Sequence, residues 1–145
     1  MKITVRRCIP IDYVELHALN INEMGYSSSE EQTKSQLSKI LTDTSNAVFV
    51  ALYDDKVIGY IHGAEYNLIY AEPMVNVLGI AVGAEYKKKG VGKALLSALE
   101  DWARERDIHS IRLTSGTERT DAHVFYEKCG FIFKKNQRYV TKTLY

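Results

Sequence analysis

A nearly continuous apolar run, PMVNVLGIAV at residues 73–82, is the feature that most constrains the fold of this chain. Runs of aliphatic and β-branched residues without polar alternation are typical of strands that are buried on both faces. A turn with two close glycines, Gly90 and Gly92, follows the run. After it, apolar residues recur at three- and four-residue spacing, which indicates an amphipathic helix. The segment therefore predicts a buried strand that leads through a glycine turn into a helix.

Strand and helix signals alternate along the rest of the chain. Further strands are predicted at 2–8, 46–53, 56–66 and 110–115, and FIFKK (131–135) with RYVTKTLY (138–145) predicts a closing hairpin. Helices are predicted from Pro10 to about Asn22, in SSSEEQTKSQLSKIL (27–41), from Val91 onward and in RTDAHVFYEKCGF (119–131). The predicted order is β-α-α-β-β-β-α-β-α-β-β, which places the chain in the α/β or α+β class with a mixed sheet.

Composition narrows the class of protein further. The 145 residues contain no repeat, low-complexity tract or linker, so we expect one domain over residues 1–145. A formal net charge of +1 gives no reason to expect nucleic acid or an anionic membrane as a partner. Two distant cysteines and no Cys/His cluster argue against a metal site. Without a signal peptide or a membrane span, a cytoplasmic location is expected.

The glycine turn between strand and helix is suited to binding an anion. The first backbone N–H groups of a helix have no partner within the helix, and the helix dipole is positive there. Gly90 and Gly92 have no Cβ atoms to keep a phosphate away from those groups. The spacing does not match a P-loop, and Ala94 and Leu95 stand where a dinucleotide-binding fingerprint needs its third glycine. From this turn alone, a lysine-rich, solvated start of a helix remains the alternative.

A second motif lies downstream of the turn, beyond one helix and one strand. The two segments read Lys87-x-x-Gly90-x-Gly92 and Ala122-x-x-Phe125-Tyr126-x-x-x-Gly130-Phe131. Together, at this spacing and in this order of elements, they resemble the Gcn5-related N-acetyltransferase superfamily. The resemblance implies a mixed, mostly antiparallel central sheet of about seven strands flanked by four helices.

The resemblance implies a coenzyme site for acetyl-CoA as cosubstrate, without a metal. Amides from Lys88 to Lys93 would hold its pyrophosphate, and backbone groups of Ile80 to Val82 would pair with its pantetheine arm. Gly79 fits a β-bulge that opens a slot beside that strand. The implied coenzyme-binding residues are Ile80, Ala81, Val82, Lys87, Lys88, Lys89, Gly90, Val91, Gly92, Lys93, Arg119 and Tyr126.

Two positions depart from the pattern of the superfamily. Lys87 stands where Gln or Arg is usual, which keeps the charge but loses the fork geometry of arginine. Arg119 stands where many members have Asn. Its side chain could reach a coenzyme phosphate or a substrate carboxylate, or could simply be solvated near the start of a helix.

The chemistry implied by the resemblance is N-acetylation of a primary amine, by direct attack in a ternary complex. Tyr126 is then the catalytic candidate, as a donor to the leaving thiolate. No general base is assigned. Asn76, which stands roughly where some members have a glutamate, cannot act as one, though it can position a water. Glu72, Glu65 and His62 are alternatives, and so is deprotonation through ordered water.

The partner expected from this chemistry is a small-molecule or peptide amine. The resemblance also suggests that the chain forms a homodimer through its C-terminal strands. The competing hypothesis is a non-catalytic module that binds acyl-CoA as a sensor.

Overall fold

The computed structural model describes all 145 residues, and contacts divide them into two compact units, Met1–Leu113 and Thr114–Tyr145. The first unit contains five strands and three helices, and the second contains one helix. In chain order the elements are β1 (Thr4–Arg7), α1 (Tyr13–Met24), α2 (Glu30–Thr42), β2 (Asn46–Tyr53), β3 (Lys56–Tyr66), β4 (Met74–Val82), α3 (Val91–Glu105), β5 (Ile111–Arg112) and α4 (Thr120–Lys128). Two short 3-10 turns, Pro10–Asp12 and Ala84–Tyr86, precede α1 and α3.

The five strands form one sheet in the order β1-β2-β3-β4-β5. All neighbouring strands are antiparallel except β4 and β5, which run parallel. The hairpin between β2 and β3 turns at Asp54 and Asp55, both with positive φ, as a two-residue hairpin turn requires. The mostly antiparallel, mixed sheet and the four helices agree with the prediction.

The predicted count of about seven strands is wrong. Residues 131–145, expected to form a closing hairpin, contain no strand and no helix. Their apolar side chains are largely exposed, for example Phe133 at 72% and Val140 at 81%. Alternating apolar residues give a segment the propensity for a strand, but a strand forms only where a neighbour pairs with it. The strand predicted at 110–115 is likewise reduced to Ile111–Arg112.

Alternate residues of β3 face two different helical layers. Tyr60 packs with Leu16, Leu19 and Leu37 of α1 and α2, and its partner on β4, Ala81, belongs to the same core cluster. On the other face, Gly59 and Gly63 lie against α3, where a Cβ atom on Gly59 would be 3.3 Å from Cδ1 of Leu95 and one on Gly63 would be 2.5 Å from Cδ1 of Leu99. The apolar run at 73–82 forms the predicted strand, but the predicted burial on both faces is wrong: Val75 and Ala81 are buried, the other residues of β4 are partly exposed, and Leu78 is exposed.

Candidate active site

The turn between β4 and α3 carries the features predicted for an anion site. Gly90 directly precedes α3 and has φ +86°, in the left-handed region that glycine adopts without strain. A Cβ atom built on Gly90 would meet no atom within 4 Å, so the space beside this residue is open. No side chain caps the helix, and no acidic residue lies in its first turn. The N–H groups at the start of α3 are therefore available to an acceptor from outside the helix.

Lys87 makes a contact that the sequence did not predict. Its Nζ lies 3.2 Å from Oε1 of Glu23, near the end of α1. The other carboxylate oxygen of Glu23 accepts a hydrogen bond from the backbone N–H of Ala84 at 3.1 Å. Glu23 thus joins α1 to the segment that leads into α3.

The strand β4 is only partly paired on the side of β5. The two strands pair at Val75 with Ile111 and at Asn76 with Arg112, and the pairing ends there. The predicted irregularity at Gly79 is present: on β3, His62 pairs with Gly79 while Gly63 pairs with Val77, so Leu78 is an extra residue. The residues predicted to pair with pantetheine, Ile80 to Val82, follow this bulge on the part of β4 that lacks a β5 neighbour.

Tyr126 and Arg119 belong to the second unit. Arg119 directly precedes α4, and Tyr126 lies within this helix. The Tyr126 ring packs against Phe125 and Phe131, with ring centroids 5.5 and 5.8 Å away. Burial raises the pKa of the Tyr126 phenol above its ordinary value of 10.0, against the opposing charge of Arg119. The phenol is therefore protonated at neutral pH and able to donate a hydrogen bond.

The residues considered as a general base differ in their contacts and in their exposure to solvent. Glu65 forms an ion pair with Arg106, with 2.9 Å between Oε1 and a guanidinium nitrogen. The side-chain oxygen of Asn76 accepts a hydrogen bond from Arg112 at 2.8 Å. Glu72 is exposed in the loop before β4. His62 lies instead at a partly buried position on β3, where its Nε2 is 2.7 Å from Oδ1 of Asn46. Burial lowers the pKa of His62 below 6.5, so the imidazole is neutral at pH 7.

No group of three or more His, Cys, Asp and Glu side chains is placed to hold a metal ion. None of the helices combines the length and apolar character that crossing a membrane requires.

The sequence of this chain is similar to those of known acetyltransferases. The model of the acetyltransferase (GNAT) family matches residues 13–131. An aminoglycoside N(6')-acetyltransferase type 1 of Stenotrophomonas maltophilia is 27% identical over 138 residues, which cover 88% of this chain and 85% of that protein. A streptothricin acetyltransferase of Escherichia coli is 26% identical over 121 residues, which cover 81% of this chain and 67% of that protein.

The fold agrees with the same class. The structure of AAC(6')-Iy in complex with the bisubstrate analogue CoA-S-monomethyl-acetylneamine has a TM-score of 0.88 to this chain at 18% identity, over 99% of each chain. Fold and family model together define an acyltransferase. Because the family model spans most of its length, the chain belongs to the acetyltransferase (GNAT) family.

Proposed function

We propose that this chain transfers the acetyl group of acetyl-CoA to a primary amine of a small molecule or a peptide, by direct attack of the amine in a ternary complex. The observation that carries the proposal is the start of α3, where the left-handed Gly90 precedes uncapped N–H groups. Four lysines, Lys87, Lys88, Lys89 and Lys93, surround these groups in sequence. An uncapped helix start with open space and positive charge fits a phosphorylated ligand.

The coenzyme would lie along two backbone segments. N–H groups from Lys88 to Lys93, including those of Val91 and Gly92, would donate to the pyrophosphate, and the Lys87 ammonium would add charge. The amides of the pantetheine arm would pair with Ile80, Ala81 and Val82, as an added strand pairs with a free sheet edge. The end of the β4–β5 pairing at Asn76 and Arg112 supports this part of the proposal.

The reaction forms a bond between the amine nitrogen and the thioester carbon, and breaks the bond between that carbon and sulfur. A backbone N–H near Val82 would stabilise the oxyanion of the tetrahedral intermediate. The Tyr126 phenol would donate its hydrogen bond or its proton to the leaving thiolate. The proton lost by the amine needs an acceptor, and an amine with a pKa of about 10.4 is almost fully protonated at pH 7.

The proposal extends to a cytoplasmic location and a homodimer. Exposed apolar side chains in residues 131–145 support the dimer, because a strand-like segment without a neighbour is a template for pairing with another chain. Light scattering tests it: a monomeric mass at all accessible concentrations would contradict the dimer while leaving the reaction untouched.

The reaction is tested through Gly90 and a matched control. Gly90 and Gly25 both have positive φ, +86° and +72°, and a Cβ atom on either would meet nothing within 4 Å. Gly90→Ala and Gly25→Ala therefore introduce similar backbone strain, but only the first places a methyl group beside the proposed pyrophosphate. We expect Gly90→Ala to weaken binding of coenzyme A, and Gly25→Ala to bind it as the original chain does.

Two measurements complete the test. Coenzyme A at a hundred times its dissociation constant should stabilise the original chain by about 2.7 kcal/mol, and acetyl-CoA with a panel of amines should release free thiol. Stabilisation without thiol release on any amine would favour the sensor module instead. No stabilisation by either form of the coenzyme would refute both functions.

A further inference from the structure

A small cavity lies between the helices α1 and α2 and the strands β2 and β3. Its volume is about 240 Å³, a little below the range of roughly 300–1,000 Å³ that is usual for ligand pockets, so only a small molecule would fit. The residues around it are uncharged amides, hydroxyls and aliphatic side chains apart from two with titratable groups, Tyr60 and His62. The lining consists of Leu16, Asn20, Ser28, Gln32, Thr33, Gln36, Leu37, Ile40, Val48, Tyr60 and His62.

The two titratable residues lie on β3, whose neighbour in the sheet is the strand β4. Tyr60 pairs with Ala81, and His62 pairs with Gly79 next to the bulge. Paired residues of antiparallel strands point to the same face of a sheet, so Tyr60, His62 and their partners on β4 share one face. The Tyr60 hydroxyl reaches over β4, where a Cβ atom on Gly79 would lie 3.6 Å from it, whereas Nε2 of His62 is directed to Asn46 on β2. The cavity therefore borders β4 through Tyr60.

The hydrogen bond to Asn46 determines which nitrogen of His62 can take a proton. The amide oxygen of Asn46 accepts only, so at 2.7 Å it requires the proton of His62 on Nε2. In the neutral imidazole the lone pair then lies on Nδ1. Burial favours this neutral form at pH 7.

Tyr60, the other titratable residue of the lining, is unsuited to accept a proton. Burial raises the pKa of its phenol to about 12. Its hydroxyl donates a hydrogen bond to Oδ1 of Asn20. A group with a pKa this far above 7 is protonated at neutral pH, where the imidazole is a free base.

We infer that Nδ1 of His62 accepts the proton of the acceptor amine bound in this cavity, and that Asn46 is the positioning residue that fixes its tautomer. The inference rests on the proposed acetyl transfer and deepens it. One proton moves from the ammonium to Nδ1, and the imidazolium later releases it to solvent. The amine lone pair attacks the thioester carbon, the carbon–sulfur bond breaks, and a second proton of the nitrogen ends on the leaving sulfur. The amide and hydroxyl side chains of the lining fit a small amine that also carries neutral hydroxyl or amide groups.

Two substitutions test His62 through the pH dependence of kcat/KM. His62→Gln keeps a side-chain donor toward Asn46 but removes the base, so kcat should fall by about 100-fold or more, while the thermal shift with coenzyme A is unchanged. Asn46→Asp places a carboxylate on Nε2 and should raise the pKa of the imidazole, moving the acidic limb of the profile to higher pH. The ionisation of the amine itself is common to all variants, so only differences between variants are compared.

His109→Gln is the matched control, because His109 is largely exposed after α3 and is absent from the cavity lining. It should keep the original kcat and pH profile. Amino sugars and a linear polyamine serve as the two acceptor classes, and the amino sugars should have the larger kcat/KM.

The outcomes separate the inference from the proposed function. If the original chain acetylates amines and His62→Gln does so with the same kcat and profile, the inference is overturned and the function stands. The inference is also overturned if His62→Gln has a low kcat while the acidic limb of the pH profile of Asn46→Asp stays where it is in the original chain. His62 would then support the structure of the site without accepting the proton. If no amine is acetylated by the original chain, the proposed function fails and the inference fails with it.

Discussion

Glu23 and Lys87 form an ion pair that links the helix α1 to the turn before α3. The carboxylate of Glu23 lies 3.2 Å from the Lys87 ammonium and also accepts the N–H of Ala84. One turn earlier on the same helix, Asn20 accepts a hydrogen bond from Tyr60 in the cavity. The helix α1 therefore contacts both the proposed phosphate site and the proposed amine site. The Glu23 carboxylate therefore competes with a phosphate group for the ammonium of Lys87.

Removing the charge of Glu23 should increase the affinity for coenzyme A. Lys87 is more than half exposed, so the pair is worth little, and Glu23→Gln should tighten binding by about two- to fivefold at low ionic strength. The difference should shrink as salt screens the charges. Titration calorimetry at two ionic strengths measures it. Asp101→Asn, which breaks the exposed pair with Arg104, should change nothing. Weaker binding in Glu23→Gln would mean that Glu23 holds Lys87 in place for the coenzyme.

Local sequence patterns were sufficient to predict the unit that carries the glycine turn. The apolar run at 73–82 became β4 at Met74–Val82, and the apolar stripe became α3 at Val91–Glu105. The aliphatic and β-branched content of the run indicates a strand, and the three- and four-residue spacing of the stripe indicates a helix with one buried face. The prediction of a closing hairpin was wrong because alternating apolar residues indicate only the propensity for a strand. They do not show whether a partner strand is present.

The neighbours of His62 could not be predicted in the same way. The turn at Asp54 and Asp55 sets the pairing of Leu52 with Val57, and continued without a break it would place Val48 opposite Ile61. A bulge shifts the register by one where Ala51 pairs with Gly59 and Leu52 with Val57, so Ile58 of β3 is the extra residue and Val48 faces His62 instead. A shift of one residue exchanges the two faces of a strand, and the only sequence signal for this bulge is Gly59 inside the strand, which fits close packing equally well.

Two glycines on neighbouring strands should respond differently to an added methyl group. A Cβ atom on Gly63 would lie 2.5 Å from Cδ1 of Leu99, whose side chain is fully buried and has no free space to move into. Gly63→Ala should therefore lower the free energy of unfolding by about 1–3 kcal/mol. On Gly79 the same atom would lie 3.6 Å from the Tyr60 hydroxyl, an ordinary contact, so Gly79→Ala should cost much less. Denaturant unfolding compares the two, and equal losses would contradict this account of the packing.

The buried carboxylate of Asp12 should make the stability depend on pH. Burial alone would raise the pKa of Asp12, but hydrogen bonds from Arg6 and from the N–H of Ile9 together hold it below its ordinary value. A lowered pKa in the folded state means that the carboxylate stabilises the fold above its unfolded pKa, about 3.9, and that this contribution is lost as the pH falls further.

Asp12→Asn should therefore lower the free energy of unfolding by about 1–3 kcal/mol at pH 7, and the difference from the original chain should narrow below about pH 4. Urea unfolding at several pH values measures both effects. Asp101→Asn, in an exposed Asp–Arg pair, should show neither. A difference that persists at low pH would assign the effect to the shape of the side chain and not to its charge.

Tyr126→Phe should separate the chemical step from coenzyme binding. The substitution removes the hydroxyl but keeps the ring that packs against Phe125 and Phe131. If the phenol donates to the leaving thiolate, kcat should fall by about 10- to 100-fold, the value of a hydrogen bond to a charged group, while the affinity for coenzyme A stays the same. Because burial raises the pKa of Tyr126, the activity of the original chain should not decline through ionisation of this phenol below about pH 10. Tyr139→Phe, at an exposed position, is the control, and an unchanged kcat in Tyr126→Phe would leave Tyr126 as a packing residue of α4.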